Sequence, residues 1–93
     1  MAVSVVLPRA LLPYSHGSST LHLDERCASV AEALDVLRRR WPAVLDRVMT
    51  EQGEVREHVN IFVGEESIRF ADGLDTSLRE GDTIMIVAAV SGG

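Results

Sequence analysis

Apolar and polar positions along this 93-residue chain change period several times, and each change marks an element. Val3, Val5 and Leu7 alternate through the opening run, which Pro8 closes, predicting a first strand. Leu21 and Leu23 alternate with Thr20 and His22 as a second strand, across a Pro-, Gly- and Ser-rich loop from Pro8 to Ser19. That loop is long for a hairpin, so the sequence does not define its turn. The period then lengthens. Val30, Leu34, Leu37 and Trp41 recur at spacings of four, three and four and draw one helical stripe. Ser29 and Glu32 form a capping box at its start, and Pro42 ends it by forcing the preceding residue out of the helical region. Val44, Leu45 and Val48 predict a second, short helical piece.

Beyond the polar stretch around Gly53 the period returns to two. Val59, Ile61 and Val63 alternate with Asn60 and Phe62 in a third strand, and Gly64-Glu65-Glu66-Ser67 reads as a turn. Ile68 and Phe70 are expected in a short strand after it, and Asp72-Gly73 in another turn. Leu74 and Leu78 anchor a one-turn helix or covering loop, and Glu80-Gly81-Asp82 leads into a last strand, Thr83 to Val90. One main helix crossing a mixed sheet of about five strands is an α+β arrangement. The first and last strands are apolar nearly throughout, which suits central positions covered on one face by the helix. If Ile84 and Ile86 face the helix, Met85 and Val87 face the other way, and Phe62 shares their parity.

Composition narrows what such a domain does. The length suits one core, read as a domain over 1–90 with a tail over 91–93. Aromatics make up only 4% of the chain, so that core must be aliphatic. The formal net charge of −5 argues against nucleic acid or an anionic membrane as partner, because both require clustered cations. The one basic run, Arg38-Arg39-Arg40, falls where the helix ends and offsets its dipole. Cys27 is alone, which excludes an internal disulfide and a cysteine metal cluster and suits the cytoplasm. No signal peptide or membrane span is expected from the pattern.

Catalysis would require an acid–base pair, an activated nucleophile or metal ligands at suitable spacing. His16, His22 and His58 belong to no ligand motif, and no glycine-rich phosphate loop follows a strand. Glu65-Glu66 is read as a solvated pair, and Cys27 as structural rather than nucleophilic. No metal site and no bound cofactor are expected, and the chain does not read as an enzyme in its own right.

The chemically usable feature is the end, Gly92-Gly93. Glycine lacks Cβ, so its backbone can approach a nucleotide phosphate and a second protein closely. An α-carboxylate at such an end can attack the α-phosphate of ATP, giving an acyl-adenylate that a sulfur nucleophile displaces. The run GDTIMIVAAVSGG, Gly81 to Gly93, resembles the end of MoaD/ThiS-type ubiquitin-like sulfur carriers, in which Gly-Asp and an apolar strand precede Val-x-Gly-Gly. Ala88 and Ala89 stand where those proteins usually carry one or two prolines. The segment VNIFVGEESIRF, Val59 to Phe70, followed by Gly73-Leu74, resembles the CysO-type branch that serves cysteine synthesis. This resemblance implies the β-grasp (ubiquitin-like) fold. It also implies an E1-like partner that adenylates Gly93 with ATP and magnesium, a thiocarboxylate at that residue, and a synthase that accepts the sulfur. Phe62, Met85 and Val87 become the candidate partner-docking patch on the open sheet face. The plain alternative is that they pack under the segment carrying Leu74. A ubiquitin-like modifier that passes the same adenylate to a lysine, or a β-grasp module that carries no sulfur, has the same sequence features. The acceptor pathway is equally open among cysteine, molybdenum cofactor, thiamin and sulfur-containing natural products.

Overall fold

The computed structural model of the protein describes residues 3–88. The tail with Gly92 and Gly93, and the domain boundary at residue 90, lie outside the described residues. Five strands form one mixed sheet: β1 (Val3–Val6), β2 (Thr20–Leu23), β3 (Val59–Val63), β4 (Glu66–Ser67) and β5 (Thr83–Ala88). They lie in the order β2-β1-β5-β3-β4, with β1 and β5 parallel and every other neighbouring pair antiparallel. The apolar last strand therefore occupies the centre, with the first beside it.

Two helices lie between β2 and β3 in the chain: α1 (Val30–Arg40) and α2 (Pro42–Val48). The α1 start is closed by Ser29, whose Oγ accepts the Glu32 N–H at 3.2 Å. The reciprocal half of the box is displaced by one residue: Glu32 Oε1 accepts from the Ala28 N–H at 3.0 Å. A bridge between Ser29 and Ser77, with Val30 N–H on the Thr76 carbonyl and Leu78 N–H on that of Ala28, ties this corner to the later segment. Val30, Ala33, Leu34, Val36 and Leu37 are buried, a face wider than the predicted stripe, whereas Trp41 is only half-buried. Trp41 closes α1 and opens α2, with Pro42 in the first turn, where its missing N–H costs no hydrogen bond. In the last turn of α1, Arg38 pairs with Asp35 and Arg40 with Glu25, each at 3.1 Å. The Arg40 guanidinium also lies 4.5 Å from the Trp41 ring centroid.

Two segments differ from the sequence reading. The Pro8–Ser19 loop contains a 3-10 helix, Arg9–Tyr14, that buries Leu11 and leads to Ser15. Ser15 is buried because its hydroxyl donates to the Ser18 carbonyl at 2.7 Å. A three-residue period containing Pro13 writes no amphipathic signal into the sequence. The other difference is the fourth strand, which is Glu66–Ser67; Ile68–Phe70 is a 3-10 turn and not the expected strand. Val63 pairs with Glu66, so the hairpin loop is only Gly64-Glu65. Gly64 takes φ +61° at its first position, as a tight II′-type connection requires. With the turn that short, pairing starts two residues earlier than the apolar residues indicated. The Gly73–Asp75 turn lies against α1, and Leu74 and Leu78 join the helix-side core.

Candidate functional site

Strand β5 separates the two faces of the sheet residue by residue. Ile84 and Ile86 are fully covered beneath the helices, while Met85 and Val87 are 42% and 40% exposed on the opposite face. Register shows what surrounds them. Met85 lies between Val6 on β1 and Phe62 on β3, and Val87 lies opposite Asn60. Cross-strand neighbours on one face are within side-chain reach, so Val6, Phe62, Met85 and Val87 form one apolar patch. Phe62 and Val6 are half-buried within it. The Leu74 segment does not cover the patch, because Leu74 packs on the other side of the sheet. Val6 was legible from its parity with Ser4 but is absent from the sequence-derived set.

Phe70 is the functional candidate that sequence reasoning placed wrongly. Read as a strand residue, it is instead the most exposed of the large hydrophobic side chains among the described residues. It borders an open notch with Phe62, Asn60, Glu65 and Glu66. No periodic signal marks it, since its exposure comes from a turn whose position depends on the two-residue hairpin before it.

The remaining chemistry-bearing groups do not converge. His16 has φ +56° in the first loop, His22 lies on the edge strand β2 with its Nδ1 3.3 Å from Ser4 Oγ, and His58 immediately precedes β3. Among the described residues, no group of three or more His, Cys, Asp or Glu could hold a metal ion. Cys27 is buried, and its thiol titrates above the ordinary thiol value: burial disfavours the thiolate, Glu25 and Glu32 oppose its charge, and Arg39 only partly offsets them. That is the reverse of an activated nucleophile. A second, open groove runs between the first 3-10 helix, α2 and the start of β3, with Tyr14, Arg47, Arg56 and His58 among its lining. Arg47 stacks 4.5 Å from the Tyr14 ring centroid, and Arg56 donates to the Asp46 carbonyl at 3.0 Å, so both cations hold the groove wall together. Among the described residues no helix is long and apolar enough to cross a membrane.

Ala88, the last described residue, ends the central strand beside Val59. Gly92 and Gly93 follow Ala88 in the sequence. The model of the ThiS family matches residues 8–93, through that terminus. The chain belongs to the ThiS family. The sulfur carrier protein CysO of Mycobacterium tuberculosis is 30% identical over 95 residues, covering both chains completely. The crystal structure of the Amycolatopsis orientalis BexX/CysO complex contains a chain that superposes with a TM-score of 0.86 at 30% identity, covering 99% of this chain and 100% of that one. The crystal structure of the small archaeal modifier SAMP1 from Haloferax volcanii superposes with a TM-score of 0.84, also at 30% identity and over 100% of both chains. The fold of this ThiS-family chain is the ubiquitin-like β-grasp.

Proposed function

We propose that this protein is a sulfur carrier and not an enzyme, and that its working group is the Gly93 carboxylate. The observation that supports this most strongly is the family match, which runs over the central strand and on through Gly92-Gly93. In this reading an E1-like enzyme adenylates Gly93 with ATP and magnesium, which that enzyme binds. The carboxylate oxygen attacks the α-phosphorus and pyrophosphate leaves. Hydrosulfide, supplied by a sulfur donor, then attacks the acyl carbon and AMP leaves, which gives the thiocarboxylate directly. A second enzyme, a sulfur-accepting synthase, takes that sulfur, and the cytoplasm is the setting. Phe62, Met85 and Val87 dock the partner while the glycines enter its active site. The likeness to CysO favours cysteine synthesis among the possible acceptor pathways.

Deleting Gly93, or replacing Gly92 with a bulky residue, tests the reading. Neither glycine has a side chain to give to the core, so circular dichroism should be unchanged while ATP–pyrophosphate exchange by the cognate adenylating enzyme is abolished. Unchanged exchange would contradict the proposal. The likeness to SAMP1 favours a second reading, a protein modifier that passes the same adenylate to a lysine of a target.

A further inference from the structure

The outer face continues past β3. After the Gly64-Glu65 loop the chain pairs for two residues as β4 and enters the Ile68–Phe70 turn. Three attachments hold that turn. Ile68 is buried in the core. Ser67 Oγ donates to Asn60 Oδ1 at 2.8 Å and accepts the Arg69 N–H at 3.3 Å. The Arg69 guanidinium donates back across β3 to the carbonyls of Glu57 at 3.3 Å and Val59 at 3.0 Å. With Ile68 pointing in and Arg69 clamped to β3, Phe70 is held outward, 84% exposed. An aromatic ring left in water forgoes its burial energy, and here a pinned backbone imposes that loss.

We propose that Phe70 and Phe62 form an anchoring notch for the adenylating enzyme, receiving an apolar side chain that arginine or lysine flanks on that enzyme. The inference rests on the sulfur-carrier reading and adds a contact to it. Charge selects this occupant. Among the described residues, Glu65 and Glu66 are the only charged ones lining the notch, and the whole chain carries −5. A second copy of the chain would set the same carboxylates against each other. An enzyme that adenylates a carboxylate must instead surround a triphosphate with cations, so the mouth that admits the tail carries the opposite sign. Continuity points the same way. The notch shares Phe62 with the patch containing Met85 and Val87, and β5 leads from that patch towards Gly93. A partner docked on that patch therefore borders the notch as well.

The test titrates the full chain calorimetrically against the adenylating enzyme from the same genome, with ATP and magnesium, at low and high salt. Phe70→Ser should weaken binding by about 10- to 100-fold, the range of an aromatic anchor, with thermal unfolding unchanged. Glu65→Arg combined with Glu66→Arg should weaken binding most at low salt, where steering is strongest. Unchanged affinity of Phe70→Ser overturns the inference. So does weakening confined to the sulfur-accepting enzyme, and so does a wild-type dimer that Phe70→Ser dissolves. In each of these the wild-type chain still acquires its adenylate, so the carrier reading stands. A wild-type chain that neither binds nor is adenylated removes that reading and this inference with it.

Discussion

Alternation along β5 assigns opposite roles to adjacent residues. Ile86 and Val87 differ by one position and one methylene, yet one is sealed under the helices and the other is 40% open. Truncating the two should therefore separate stability from binding. Val87→Ser should leave thermal unfolding within the small range of surface changes and cost about 1–2 kcal/mol of partner affinity if it is a contact. Calorimetry against the adenylating enzyme checks this, and unchanged affinity would remove Val87 from the docking face. This parity was readable in the sequence because Ile84 to Val87 alternate against a helix that had to be covered. Phe70 was not readable, since its direction depends on Arg69 reaching back to the carbonyls of Glu57 and Val59. Cys27 supplies a pH test at the same scale. Its thiol is held protonated when folded, so its contribution to stability is complete below the ordinary thiol value and is lost as pH rises through the raised one. Stability curves should fall on the alkaline side for the native chain and less so for Cys27→Ala. Alkylation by iodoacetamide at mildly alkaline pH should be slower in the folded chain than in denaturant. Equal rates would place the thiol in solvent.

Helix α1 was legible because three independent signals agreed on it: the Ser29 cap, the apolar spacing, and Pro42 as its limit. Its buried face was read too narrowly. Ala33 and Val36 also face the core, as expected where a helix lies flat on a broad sheet rather than along a seam. Leu37→Ala should cost about 2–5 kcal/mol in chemical denaturation, since Leu37 is fully buried and the sheet beneath cannot collapse into the space. A loss below about 0.5 kcal/mol, the usual surface value, would mean that α1 presents another face. The elements that escaped detection are those without periodicity. The Arg9–Tyr14 3-10 helix and the Ile68–Phe70 turn each span too few residues to write a pattern, and tertiary attachments fix both. The β4 displacement has a related cause. A two-residue loop sets strand register, and register overrides where the next apolar residues fall.

At the scale of the molecule, the sheet separates two tasks. One face buries an aliphatic core under α1 and α2, and the other keeps an apolar patch open along the strand that leads to the terminus. The order strand, strand, helix, then strands was enough to anticipate the sheet, because its most apolar strands had to lie at the centre. The tail itself was legible only as chemistry: two glycines, a carboxylate and a family resemblance. All nine basic residues of the chain are arginine, so it contains no lysine. An activated Gly93 therefore has no side-chain amine of its own chain to attack it, and isopeptide-linked polymers through lysine cannot form. The measurement that tests the central claim most directly is the intact mass after incubation with ATP, magnesium, the cognate adenylating enzyme and a sulfur source. The mass should rise by one oxygen-to-sulfur replacement, and fragmentation should place the change at Gly93. Transfer of the chain to lysines of other proteins without any thiocarboxylate would make it a modifier instead. An unchanged mass, with an enzyme shown to adenylate its own established carrier, would contradict the account.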